Sequence, residues 1–407
     1  MAYFFWKGKR MKKRILNDRR IYIIFSITLI AVMGVASLTP AFPKIAESLQ
    51  LNKVQVGWLI SAFTFPGIFL SPVVGVIADR WGRKMVLVPS LFLFAGAGFT
   101  IFFVHHFQTM ILLRILQGMG AASLGSLNTT LIGDFFKGEQ RPEAMGFNAS
   151  VLSLSTAFYP LIGGALAGMN WYYPFLLPLL AIPVGLLVIF GMEEPEIVKP
   201  EDFRQYLSSM AKSVMRIEVI AIFILSVLTF VILYGAFLTY LPFLLNQKFH
   251  LLPQQIGILF SLSSLTTAFV ATRIGKLNRK FGSLKLLKTA FLLYFIVTLI
   301  LPSVNHLYLF ILPIVIFGIA QALNIPSLQT SLANLAPDNQ RAVFMSINGT
   351  VLRLGQTLGP LIIGIGFSWQ GLSGAYYLAS FMSALGLLVL FTMMSESLSK
   401  SPVDIAR

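Results

Sequence analysis

Twelve apolar stretches follow one another along this chain, each close to the roughly 20 residues that take an α-helix across a bilayer. They fall at about 21–43, 54–78, 85–104, 107–133, 144–168 and 171–192, then at 217–246, 255–272, 286–304, 306–333, 342–367 and 374–394. A soluble domain of 407 residues could not wet its surface with 11% charged residues against 56% hydrophobic ones, because such surfaces are built largely from charged groups. The chain is therefore read as an all-α membrane protein with twelve transmembrane helices.

The net charge of +16 is a topology signal and needs no nucleic-acid partner. Threading the stretches alternately puts 26 of the 31 Lys and Arg in the N-terminal segment, the even-to-odd loops and the C-terminal tail. Three (Lys44, Lys53 and Lys248) fall on the opposite side, and Arg114 and Arg353 lie inside helices. Positive loops stay inside, so a multi-pass protein of the cell membrane with both termini cytoplasmic is expected. The first apolar stretch is too long for a cleavable signal. Met11 is as plausible a start as Met1. With no Cys and four His outside metal-ligand spacing, no metal or other cofactor is expected. No G-x-x-x-x-G-K-[ST] loop is present to bind ATP. No His/Asp/Glu constellation marks a membrane-face enzyme.

Shifted by 200 residues, the sequence matches itself. Gln140 and Arg141 fall on Gln340 and Arg341, Asn148 on Asn348 and Pro160 on Pro360, with 11 identities over the 25 positions 140–164. A polar Gln-Arg pair repeated in the same loop marks duplication, as in parallel repeats related by an axis along the membrane normal. The expected organisation is a basic N-terminus (1–20), a six-helix bundle (21–192), a linker (193–216), a second pseudo-symmetric six-helix bundle (217–394) and a tail (395–407). In the linker, Phe203, Tyr206, Leu207, Met210 and Val214 recur at helical spacing after Pro200-Glu201-Asp202. That pattern predicts an amphipathic helix on the membrane surface.

Motifs then narrow the class. The loop after the second helix reads Gly75-Val-Ile-Ala-Asp79-Arg80-Trp-Gly82-Arg83-Lys84. It sets a carboxylate four residues before an Arg on one helical face and a glycine at the turn. The fourth helix carries Arg114-Ile-Leu-Gln117-Gly118-Met-Gly120-Ala121-Ala122. Its small residues permit close helix approach, and Arg114, Gln117 and Asn128 share one face. An Arg there costs about 1–3 kcal/mol unless it snorkels or pairs. Ser155 to Gly164 in the fifth helix, around Pro160, and Gly355-Gln-Thr-Leu-Gly359-Pro360 in the eleventh combine proline with small residues, a recipe for bending and close crossing.

These elements resemble the major facilitator superfamily over the whole chain, and its efflux (drug:proton antiporter) branch in particular. Ser155 and Tyr159 stand where that branch has glycines. The resemblance implies two bundles that alternate access to one midplane site. It also implies a charge cluster of Asp79, Arg83 and Asp134 that latches the inward side while the transporter faces outward. Helices 1, 4, 7 and 10 of the resembling fold line the pathway. Carried onto this chain, Tyr234, Thr239, Tyr240, Gln321 and Asn324 join Arg114, Gln117 and Asn128 as candidate cavity residues.

Arg353 is the most informative single residue. It lies 11 residues past the start of the eleventh helix, roughly 17 Å deep at 1.5 Å per residue. Its repeat mate is Ser153, so the duplicated fold does not require a cation there. An intramembrane charge is a functional-site hypothesis by default. Its partner is Gln356, Asn348, a carbonyl freed near Pro360, or a substrate anion. All 15 Asp and Glu lie in loops, termini or helix ends, so no buried acid awaits a cationic drug.

The expected function is secondary active transport, as proton-coupled efflux of a small amphipathic neutral or anionic solute by a monomer. The proton would use Asp79, Asp134, Glu218 or the substrate itself. An uptake or exchange permease for a sugar or metabolite, or a flippase for a lipid-linked substrate, is the alternative on the same fold.

Overall fold

The structure, a computed structural model, describes residues 15–194, 215–336 and 341–394. The predicted linker helix, the two candidate start methionines and the tail lie outside the described residues. Ten apolar helices come first: α1 (Arg19–Ser48), α2 (Lys53–Trp81), α3 (Arg83–Phe103), α4 (Phe107–Phe135), α5 (Gln140–Met169), α6 (Tyr173–Gly191), α7 (Ile217–Phe249), α8 (Pro253–Ala271), α9 (Ser283–Ser303) and α10 (Leu307–Leu335).

A continuous helical stretch, Arg341–Thr392, follows, broken by non-helical Gln370 and Gly371, the glycine at φ 63°. Its 52 residues would span about 78 Å if straight, far more than one bilayer. The chain reverses instead. A methyl group on Gly366 would lie 2.5 Å from the carbonyl oxygen of Gly374, whereas eight residues of straight helix separate such atoms by about 12 Å. Helices α11 (341–369) and α12 (372–392) are thus two crossings, which brings the total among the described residues to twelve.

Buried apolar side chains gather in two large clusters. One runs from Ile15 to Met192 with Phe243 added, the other from Val219 to Met394. Lipid tails are as apolar as leucine, so helices associate through close packing and polar ties more than through the hydrophobic effect. The glycines and prolines singled out from sequence serve this. Gly118 of α4 presses on the backbone of Phe63 in α2, and Gly355 of α11 lies against Val227 and Phe230 of α7. Gly359 meets Val231 and Gly235 of α7. Within α7, residues Ile232–Tyr240 widen into a π-helix, and the Thr239 hydroxyl donates to the carbonyl five residues back, Tyr234 O, at 2.7 Å.

The two halves join through seams built from duplicated parts. In one, Gly57 of α2 packs on Pro360 of α11, and Ser61 Oγ donates to Thr357 O at 2.8 Å. In the other, Gly257 of α8 packs on Pro160 of α5, and Ser261 Oγ donates to Ala157 O. Every residue in the first pair of contacts sits 200 positions from its counterpart in the second. Gly164 reinforces the second seam against Pro253 O. These joints lie in the half of each helix farther from the basic loops, so the two bundles are in contact toward that end of the molecule.

The three lysines that break the charge rule each have a tie at this end. Lys44 Nζ donates to Ala167 O and Gly168 O at 3.1 and 3.0 Å, capping the C-terminus of α5. Lys248 donates to Pro302 O and Val304 O where α9 ends. Lys53 crosses between the halves to Gln247 Oε1 at 2.8 Å, flanked by the rings of Phe243 and Phe367. Cations at helix C-termini are favourable, which accounts for Lys44 and Lys248, while Lys53, at the N-terminus of α2, is held by its amide and aromatic partners.

Candidate functional site

The two intramembrane arginines occupy different settings. Arg114 is 1% exposed. Its Nε donates to Leu59 O of α2 at 3.0 Å, its Nη2 to Gly34 O of α1 at 3.0 Å, and its Nη1 to Gln117 Oε1 at 2.8 Å. The Phe63 ring covers it at 4.4 Å. The guanidinium thus fastens α1, α2 and α4 together inside one half, with no open side toward a passage. Gln117 is drawn into the same clamp.

Arg353 lies at the boundary between the halves. It stands on α11 of the second half, about 18 Å from the helix start, and its stem rests on α2 of the first. A methyl on Gly67 would lie 3.0 Å from Arg353 Cδ, and one on Gly125 of α4 would lie 3.4 Å from its Nη2. Among the described residues its one side-chain hydrogen bond runs from Nη1 to Gln356 Oε1 at 3.2 Å, although a guanidinium offers five N–H donors. Tyr234, set in the π-helical part of α7, packs against the apolar core of the first half. One turn along α11, Thr357 Oγ1 meets Thr64 Oγ1 of α2 at 2.9 Å. Of the partners open at the sequence level, Gln356 is the one the fold supplies.

The predicted cavity residues do not form one constellation. Asn128 of α4 donates to Thr28 of α1, and Thr28 also contacts Asn148 of α5. In the second half Asn324 of α10 bonds Thr229 of α7 at 3.0 Å. Each half therefore pins its first and fourth helices with a Thr–Asn pair. Gln321, one turn from Asn324, is 7% exposed, and its Oε1 has no partner among the described residues. Tyr240 stacks on Phe367, within the second half. Arg353, Gln356 and Tyr234 are the group gathered at the seam, with Gly67 and Gly125 opposite them.

At the basic face, Arg83 bridges Asp79 and Asp134, the latter at 2.9 Å through Nε. This cluster ties α2, α3 and α4 of a single half in the present conformation. Gly82 begins α3 at φ 106°, a backbone that side chains rarely tolerate. A contact absent from the sequence reading completes the loop: the Glu194 carboxylate accepts from Arg83 N and, at 3.2 Å, from Lys84 N. An anion on a helix N-terminus is favourable, and here it ties the residues after α6 to the signature loop. Lys84 Nζ adds a bond to Met192 O at 3.3 Å. Arg80 is exposed, and Gly75 has no neighbour within 4 Å of where its Cβ would lie.

Two related six-helix halves closing on a shared, partly polar seam define a multi-pass membrane transporter. The chain matches the sequence profile of the Major Facilitator Superfamily over residues 24–302 and 243–406 and belongs to that family. It is accordingly a transporter and not an enzyme, acting on small molecules. It is 26% identical over 388 residues to Multidrug resistance protein 2 of Bacillus subtilis (strain 168), covering 93% of this chain and 96% of that one. It is 27% identical over 399 residues to the Bacillibactin exporter of the same organism, covering 92% and 96%. A bacterial homologue of the human lysosomal transporter Spinster, in an inward-facing and occupied conformation, shares the fold. The TM-score is 0.78 at 15% identity, over 94% of this chain and 98% of that one.

Proposed function

We propose that this chain is a proton-coupled exporter of a small amphipathic solute, neutral or anionic, from the cytoplasm across the plasma membrane. It works as a monomer with both termini cytoplasmic, by rocking residues 21–192 against 217–394. The observation that carries the reading is Arg353: an under-bonded cation at mid-membrane on the boundary that must open and close, in a chain whose acids all lie at helix ends, loops or termini. Such a charge repels cationic drugs and attracts anions or polar dipoles. The names of the two bacterial relatives, a multidrug resistance protein and an exporter, support the outward direction. The proton is carried by a basic-face carboxylate, Asp79 or Asp134 around Arg83 or Glu218 at the start of α7, or by the substrate.

The test is transport by purified protein in proteoliposomes under an imposed pH gradient, with anionic, neutral and cationic aromatic solutes side by side. Gradient-dependent movement of the first two classes is expected. Efficient transport of ethidium, or counterflow of a sugar without any gradient dependence, would overturn the reading.

A further inference from the structure

Three of the positions at which the two seams differ surround one side chain. On the α2·α4·α11 side stand Arg353, Gly67 and Gly125; their repeat mates on the α8·α10·α5 side are Ser153, Thr267 and Ile325. One side carries a long cation and two residues without side chains. The other carries a short hydroxyl and two branched side chains. The exchange is volumetric: a Cβ at Gly67 would press on Arg353 Cδ and Nε at 3.0 and 3.1 Å, and one at Gly125 would touch Nη2 at 3.4 Å. The hydroxyls on the other side are spent locally, Ser153 on Ala149 O and Thr267 on Ser263 O and Gly318 O. Among these six positions, the side-chain hydrogen-bonding capacity left free lies on Arg353.

We propose that the α2·α4·α11 seam holds an oxyanion subsite in which Arg353, steadied by Gln356, binds a carboxylate head group of the substrate, and Gly67 and Gly125 are positioning residues that keep its guanidinium in place. This deepens the transport reading above and rests on it. A planar guanidinium matches a carboxylate bidentately. The Gln356 bond uses one Nη1 hydrogen of the five a guanidinium carries, and the other four have no acceptor among the described residues. The seam opens and closes as the halves rock, so the subsite is assembled from both halves in this conformation and taken apart in the other.

The experiment is equilibrium binding of 1-naphthoate and of its neutral twin 1-naphthamide to the full-length protein in nanodiscs, alongside thermal melts. The parent protein should bind the acid at least tenfold tighter than the amide. Arg353→Gln should collapse that ratio to about one, and Arg353→Lys should restore part of it. Gly67→Ala, which displaces the guanidinium without removing it, should lower the ratio about threefold or more while melting within a few degrees of the parent. Equal affinity of the parent for both probes, or a ratio that survives Arg353→Gln, overturns the subsite and leaves transport of neutral solutes intact. A strong acid preference in a protein that moves nothing under a pH gradient keeps the subsite and removes the transport reading.

Discussion

Arg114 and Arg353 are the same residue on two apolar helices, and each donates through Nη1 to the glutamine three positions ahead, Gln117 and Gln356. The first also reaches backbone carbonyls of two neighbouring helices and lies under an aromatic ring. The second has glycines of the opposite half beneath its stem and head. What sets the two arginines apart is therefore what the surrounding helices present. Carbonyls of Leu59 and Gly34 hold Arg114 within one half, whereas the glycines facing Arg353 accept no hydrogen bond from it among the described residues, at the boundary between the halves.

The largest expected effect comes from breaking the satisfied member of the pair. Arg114→Ala leaves Leu59 O, Gly34 O and Gln117 Oε1 without their donor in a dry interior. Unpaired buried groups cost roughly 1–3 kcal/mol each in soluble proteins, and less in membranes where other partners are found. A net loss of about 3 kcal/mol is expected, read as a lower melting temperature in detergent and a reduced folded yield. Arg114→Lys should rescue little, since a single ammonium cannot reach three helices at once. If Arg114→Ala melts like the parent, the clamp assignment fails.

Arg353→Ser installs the residue that the other seam carries and should do the reverse. Melting is expected to shift by less than the equivalent of about 1 kcal/mol. Transport of anionic solutes in proteoliposomes should fall tenfold or more. A variant that loses folding and transport together would place Arg353 in the same structural class as Arg114.

A third outcome probes the seam itself, using the fact that the chain has no cysteine. The pair Ser61→Cys with Thr357→Cys should cross-link readily in this conformation, as should its duplicate, Ser261→Cys with Ala157→Cys. Either cross-link should arrest transport until reduced. If only one pair cross-links, the seams are not equivalent in motion, and the symmetry of the resting contacts is misleading.

Much of this was legible in the sequence, for identifiable reasons. Hydropathy and the placement of Lys and Arg report the membrane directly, because lipid imposes one-dimensional rules on a chain. Arg353 was visible because its depth follows from counting residues along a helix. The division of labour between Arg114 and Arg353 was not visible. It depends on which carbonyls and glycines of other helices lie alongside, and a periodicity on α4 alone cannot name Gly34 or Leu59. The same limit hid Thr28 and Thr229, which hold Asn128 and Asn324, and Glu194 on the N-terminus of α3. Gly57 with Gly257 and Ser61 with Ser261 were within reach, since the 200-residue shift aligns them. They signify a seam only once Pro160 and Pro360 are seen across from them.

The smallest expected effect lies away from both arginines and sharpens the contrast from outside. Asp18 caps α1, accepting from Arg20 N at 3.0 Å and from the Arg20 side chain. Those bonds from Arg20 hold its carboxyl below the ordinary value of 3.8, against the opposing pull of partial burial. A depressed folded pKa means the cap contributes fully above the unfolded value and is lost as pH falls through the folded one. Asp18→Ala should therefore cost about 1 kcal/mol near neutrality, and the difference from the parent should shrink in melts taken below about pH 3. Arg114→Ala, whose penalty comes from hydrogen bonds to neutral carbonyls and an amide, should show the same deficit at both pH values. Two variants whose deficits faded alike in acid would mean that the Arg114 clamp depends on a charge partner missing from the contacts described.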